Sequence, residues 1–195
     1  MRPVQRSTSR DVALIATFAA VIVVLGAPGT LSLFGNAVPI TLQTLGVMLA
    51  GALLGARRGA LAALVVLVLC GAGLPVLAGG RGGLSVFAGP SVGYLLGWPL
   101  GAALTGWLSA RRPSDRPQWF FTAAIAGGIG VVYAIGVPLQ LLVLGLPPAK
   151  AWGIFSLYLP GDLVKAALTA VVASGVHRAR PELLPLRRRR ATTSV

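Results

Sequence analysis

The sequence predicts an all-α integral membrane protein with six transmembrane helices and both termini in the cytoplasm. Apolar residues make up 55% of the 195 residues and charged residues only 11%, whereas a soluble domain carries about a quarter charged residues. The charges are also segregated, because residues 12–56, 59–80, 82–110 and 117–149 contain no Asp, Glu, Lys or Arg. A spanning helix needs roughly 20 apolar residues, so each block holds one or two spans.

The first three predicted spans are 12–28, 38–56 and 59–78. Span 1 follows three arginines and looks like a signal peptide, but further spans follow it, so we interpret it as an uncleaved helix. Span 2 begins near Pro39, because proline fits the first turn of a helix without losing a needed donor. A basic turn, Arg57-Arg58, leads to span 3.

The last three predicted spans are 91–110, 119–145 and 152–177. A glycine-rich segment precedes span 4, a polar loop follows it, and Pro147-Pro148 ends span 5. Block 117–149 is too short for two spans. Residues 1–11 are then a cytoplasmic N-terminal segment, 12–178 the membrane domain and 179–195 a basic cytoplasmic tail.

The basic residues fix the predicted orientation. With the N terminus inside, the outer loops contain only Arg81 and Lys150, and Lys165 lies within a span. The cytoplasmic segments contain the remaining basic residues: Arg2, Arg6, Arg10, Arg57, Arg58, Arg111, Arg112, Arg116, Arg178, Arg180 and Arg187–Arg190. Such asymmetry follows the positive-inside rule and predicts a multi-pass protein of a bacterial-type cell membrane.

The net charge of +13 does not indicate a nucleic-acid partner, because the basic residues punctuate the apolar blocks instead of forming one patch. The run Arg187–Arg190 is suited instead to anionic lipid of the bilayer. No cluster of His, Cys and carboxylates suits a metal, and no Walker A loop is present. We therefore expect no cofactor and no enzymatic activity.

Small residues spaced by four predict close helix contacts. They occur as Gly93, Gly97 and Gly101 in span 4, as Gly51 and Gly55 in span 2, and as Ala16 and Ala20 in span 1. For any single motif, contact within the monomer is favoured over a partner interface.

Two charged residues, Asp162 and Lys165, lie inside a predicted span. Each costs roughly 2.5–3.5 kcal/mol at a helix centre, so such residues persist where they pair or bind something. Their i, i+3 spacing places them on one face. Pro160 just before them is expected to bend the helix and open room beside the pair. An ion pair that only satisfies itself is the alternative.

Further polar residues gather toward the outer ends of the spans. Gln43 and Tyr94 are the candidate binding residues among them, and Thr41, Ser91 and Gln140 lie on the same side. Their shared side favours a ligand site that faces outward, although each alone is equally compatible with a helix–helix hydrogen bond.

Several separated motifs, in order, resemble those of the BioY family, the biotin-specific S components of energy-coupling-factor transporters. The motifs are residues 38–47 (VPITLQTLGV), 51–59 (GALLGARRG), 82–83 (GG), 89–97 (GPSVGYLLG) and 159–165 (LPGDLVK). The resemblance runs from about residue 10 to 178 and implies the six-helix S-component fold.

The resemblance implies a subunit that captures biotin from outside and docks on a transmembrane coupling protein with two ABC-type ATPases. It implies that Asp162 and Lys165 contact biotin, more weakly that Gln43 and Tyr94 do, and that Ala16 and Ala20 contact the coupling protein. The family often has a polar residue before Gly82-Gly83. Here that stretch is Gly79, Gly80 and Arg81, and the contact stays unassigned.

Three alternatives remain at this point. The chain could be an S component for another small vitamin, because architecture does not distinguish substrates. It could be a structural membrane protein with a self-satisfied ion pair. An intramembrane enzyme with Asp162 as base is a third class, but no second catalytic group accompanies it.

Overall fold

The computed structural model describes residues 8–27, 29, 38–111 and 116–179, and six long helices run through them. These are α1 (Thr8–Val24), α2 (Gln43–Leu54), α3 (Ala56–Gly71), α4 (Val92–Arg111), α5 (Pro117–Leu144) and α6 (Ala151–Ala179). Short 3₁₀ turns precede α4 and α6, at Leu84–Ala88 and Pro148–Lys150. The described residues contain no strand, and Leu77 and Arg81 form an isolated bridge. The predicted all-α class with six helices is confirmed.

Helices α2 and α3 are shorter than the apolar blocks that contain them. Helix α2 begins at Gln43, not near residue 38, and α3 ends at Gly71, not at 78. Gly73 adopts a left-handed φ of 95°, and Pro75 lacks the N–H that a continued helix needs. The segment after α3 nevertheless turns back into the protein, where Leu77 and Ala78 are buried. Because buried residues are also apolar, the sequence of this segment looked like the continuation of a transmembrane helix.

Several sequence predictions fall outside the described residues. These are most of the N-terminal segment, the turn between α1 and residue 38, the centre of the polar loop after α4, and the tail with Arg187–Arg190. By length and apolar composition alone, α5 and Pro148–Ala179 qualify as membrane-crossing helices, and Gln43–Leu54 is a shorter apolar helix.

The outer faces of the helices are apolar and the interior contains polar groups. Val68, Val164 and Val171 are each about 60% exposed, whereas Asp162 and Lys165 are about 5% exposed. Large exposed apolar surfaces are unusual for a soluble monomer. This distribution is the one that a lipid environment favours.

Glycines allow α4 to approach α5 closely. A Cβ atom built on Gly93, Gly97 or Gly101 would lie 2.6–2.9 Å from backbone atoms of α5, so larger residues would force the helices apart. This glycine face therefore packs within the monomer. Gly51 similarly faces Ala102 of α4, but Gly55 forms the turn between α2 and α3 with a φ of 82°, instead of lying on the packing face.

A π-helical segment, Ile125–Val131, interrupts the α-helical geometry of α5. It contains Gly127 and Gly128, where Cβ atoms would collide with Thr105 and with the side chain of Met48. Local π geometry often accompanies functional sites. Here the segment lies directly before Val132 and Tyr133, which face the interior cavity.

Candidate ligand-binding site

A cavity lies between the start of α2, the loop after α3, and helices α4, α5 and α6. Its volume is about 60 Å³, several times the roughly 10–15 Å³ that one water needs. The residues that line it are Val38, Pro39, Ile40, Thr41, Gln43, Thr44, Leu77, Arg81, Ser91, Tyr94, Leu95, Trp98, Val132, Tyr133, Tyr158, Asp162 and Lys165. All four residues predicted to bind a ligand are therefore in one cavity.

The charged pair of α6 forms one wall of this cavity. Lys165 Nζ donates to Asp162 Oδ1 at 2.7 Å. Thr44 of α2 bridges the pair, because its hydroxyl lies 3.3 Å from Asp162 Oδ1 and accepts from Lys165 Nζ at 3.0 Å. Tyr133 of α5 donates to the other oxygen, Asp162 Oδ2, at 2.5 Å. Three helices thus contribute to one buried polar network.

The network is incomplete. A carboxylate can accept about four hydrogen bonds and an ammonium group donates three. Asp162 accepts three from the described residues, and Lys165 donates two. The pair neutralises its own charge, yet it retains one acceptor position on Asp162 and one N–H on Lys165.

Pro160 itself does not line the cavity beside the pair, and a bend of α6 at this proline remains a prediction. Helix α6 continues through this proline, which is exposed. The non-helical residues 38–41 line the cavity instead. Tyr158 fixes this segment by donating to the carbonyl oxygen of Val38 at 2.8 Å. The late start of α2 therefore contributes to the wall of the cavity.

Gln43 and Tyr94 line the cavity, but their polar atoms are already engaged. The Gln43 side chain donates to the carbonyl oxygen of Val76 at 3.1 Å and accepts from the N–H of Ala78 at 3.0 Å. Tyr94 donates to Gln140 at 2.7 Å. Gln43 therefore holds the loop after α3 against α2, and Tyr94 offers its ring. Ligand contact by either residue remains a prediction.

Sequence reasoning did not single out Thr44, Tyr133 or Tyr158. A signal was available for the tyrosines, because the chain contains only three and all three line the cavity. Their rings meet edge to face, with Tyr94 about 6 Å from both Tyr133 and Tyr158. Thr44 directly follows the candidate Gln43 in the sequence, but no sequence pattern indicated that Thr44 itself belongs to the site.

The predicted partner surface lies on a different side of the molecule. Ala16 and Ala20 of α1 are exposed, whereas Ala19 and Ile22 of the same helix are buried against the bundle. The described residues therefore leave the Ala16–Ala20 face uncovered. Within them, no group of three His, Cys, Asp or Glu side chains could hold a metal ion.

Comparisons with known proteins agree with one another. The family model described as "BioY family" matches residues 2–182. The chain is 48% identical over 186 residues to the biotin transporter BioY of Rhizobium etli, covering 92% of this chain and 99% of that protein. It is 48% identical over 185 residues to the biotin transporter BioY of Rhodobacter capsulatus, covering 90% and 97%.

A solved structure has the same fold. The crystal structure of the S-component for biotin from an ECF-type ABC transporter superimposes with a TM-score of 0.84. The sequences are 28% identical, and the match covers 91% of this chain and 95% of that one.

Proposed function

This chain belongs to the BioY family, and from that premise we propose that it is the biotin-binding, substrate-specific membrane subunit of an energy-coupling-factor vitamin uptake transporter. Its fold is that of the S component. The main support from this chain's own residues is the Asp162–Lys165 pair. It lies on the wall of an otherwise largely apolar and aromatic cavity, and it retains one hydrogen-bond acceptor position and one N–H donor.

The pair matches the ureido group of biotin, which offers N–H donors and one carbonyl acceptor. The remaining acceptor position of Asp162 suits a ureido N–H, and the remaining N–H of Lys165 suits the ureido carbonyl. Both hydrogen bonds are stronger in a cavity that excludes water. Apolar walls such as Leu95, Trp98 and Val132 suit the thioether ring and the aliphatic tail.

We further propose a multi-pass location in the cell membrane with both termini inside. In this orientation, a transmembrane coupling protein contacts the exposed Ala16–Ala20 face of α1, because small side chains allow helix backbones to approach closely. The sequence contains no Walker A loop, so ABC-type ATPase subunits bound to the coupling protein would supply the energy.

Binding of biotin to the purified, detergent-solubilised protein tests the proposal. Trp98 lines the cavity, so tryptophan fluorescence is a suitable readout beside calorimetry. We expect saturable binding of one biotin per chain, without competition from excess thiamin or riboflavin. A Lys150→Met variant is the matched control, because this exposed lysine lies outside the cavity. Absence of biotin binding, or equal competition by thiamin or riboflavin, would contradict the assignment.

A further inference from the structure

The hydroxyl of Thr44 joins the two charged groups of α6 to the first turn of α2. It accepts from Lys165 Nζ at 3.0 Å and donates to Asp162 Oδ1 at 3.3 Å. Lys165 Nζ and Asp162 Oδ1 are themselves 2.7 Å apart, so the three polar atoms form a closed triangle. This triangle connects two helices that are far apart in the sequence.

The triangle determines which hydrogen-bonding positions remain open. Each oxygen of a carboxylate accepts about two hydrogen bonds. Asp162 Oδ1 accepts two, from Lys165 and Thr44, whereas Oδ2 accepts one, from Tyr133. The acceptor position that remains for a ligand is therefore on Oδ2. The ammonium group of Lys165 donates two of its three N–H groups, to Asp162 and Thr44.

We propose that Thr44 is a positioning residue for ligand binding. It holds the Lys165 ammonium group and saturates Asp162 Oδ1, so that Oδ2 accepts from an N–H of the ligand and the third N–H of Lys165 donates to the ligand carbonyl. The inference rests on the proposed function. It assigns a role to a residue that acts through the charged pair instead of by its own contact with biotin.

The position of Thr44 in α2 leaves its hydroxyl available for this role. A hydroxyl side chain within a helix can donate to the carbonyl oxygen four residues earlier, as do Thr17, Ser109, Ser156 and Thr169. Thr44 is the second residue of α2, and the residue four positions earlier, Ile40, lies before the helix. Its hydroxyl donates to the Asp162 carboxylate instead.

A second contact is needed because lysine has a flexible stem with rotatable donors. An ammonium group held by Asp162 alone could pivot about that one contact. Thr44 adds a second acceptor from another helix, and threonine is itself restricted at χ1 because it is β-branched. Groups that are already held in their bound geometry lose less entropy when a ligand binds.

Thr44→Val and Thr44→Ser test the proposal, because valine keeps the shape without the hydroxyl and serine keeps the hydroxyl. Thr44→Val should weaken biotin binding at least fivefold, or about 1 kcal/mol, and Thr44→Ser should restore most of the native affinity. The matched control is Thr105→Val. Thr105 is a fully buried threonine outside the cavity, and its hydroxyl has no partner among the described residues, so this variant should bind biotin as the native protein does.

The same change in a Lys165→Met background separates positioning from direct contact. If Thr44 acts through Lys165, Thr44→Val should weaken the remaining biotin binding by a smaller factor there than in the native background, because the two residues are coupled. An equal factor in both backgrounds would overturn the inference, since Thr44 would then contact the ligand itself. Thermal unfolding in detergent accompanies each titration.

Other results would overturn the inference as well. They are a Thr44→Val variant that binds biotin as the native protein does, a Thr44→Ser variant that binds as weakly as Thr44→Val, and an equal loss in Thr105→Val. A Thr44→Val variant that does not fold would show that the hydroxyl serves the fold and not the ligand. A native protein that binds no biotin would overturn the proposed function, and this assignment with it.

Discussion

The charged pair on α6 gives the sharpest test of the site. We consider Asp162→Asn, Lys165→Met and the variant that combines them. Each single change removes one charge; Lys165→Met also removes a proposed hydrogen bond to biotin, and Asp162→Asn replaces a charged acceptor with a weaker, neutral one. The double change removes both charges together, so that neither remains buried without its partner.

The contacts of the pair set the expected magnitudes. In Lys165→Met, the Asp162 carboxylate keeps only Tyr133 and Thr44 as donors at 6% exposure. Breaking a buried pair by removing one partner costs about 3–5 kcal/mol of stability. A hydrogen bond to a charged group contributes about 1.5–3 kcal/mol. Each single variant should therefore bind biotin at least tenfold more weakly, or about 1.4 kcal/mol.

Biotin titration and thermal unfolding in detergent, applied to all three variants, separate the effects. The double variant should lose less stability than the two single losses added together, because contacting residues are not additive. It should still fail to bind biotin. A double variant that is stable and binds biotin as the native protein does would show that the pair is structural and that the site assignment is wrong.

Three further outcomes are expected. Ala16→Leu should reduce biotin uptake by cells while biotin binding stays nearly native. Ala167→Leu on α6, at a residue that is also exposed, should change neither. A parallel loss of binding and uptake would mean that Ala16 packs within the monomer. Tyr133→Phe removes only a hydroxyl, so it should lower the free energy of unfolding by about 1–3 kcal/mol, and an unchanged value would mean that its bond to the carboxylate contributes nothing. In intact cells, a membrane-impermeant thiol reagent should label a cysteine at Ser85 but not one at Pro113, and the reverse pattern would invert the topology.

The number and approximate positions of the helices were predictable because placing a charge in lipid costs free energy. The arginines are therefore concentrated in the loops between spans. The ends of α2 and α3 were not, because hydropathy cannot distinguish a side chain that faces lipid from one buried inside the bundle. Val38, Leu77 and Ala78 are apolar for the second reason, because they are buried. The two segments that contain them turn inward near the cavity, where a helix would have filled the space.

The ion pair was predictable from its own sequence, since two charges in a span need an explanation. Its partners were not, because Thr44 lies 118 residues from Asp162 and Tyr133 lies 29 residues away. Only the packing of α2 and α5 on α6 brings them together. The role of Gln43 likewise depends on the loop after α3, whose path the sequence does not reveal.

The π-helical segment gives α5 a place where the chain can change its length. A π turn holds one residue more than an α turn over nearly the same rise, so the helix on either side keeps its facing. Loss of one residue from Ile125–Val131 would return the segment to α geometry and leave Tyr133 directed at the cavity. The same deletion elsewhere in α5 would rotate every later side chain by about 100°. A one-residue deletion in this glycine-containing stretch is therefore expected to disturb the cavity less than the same deletion elsewhere in α5.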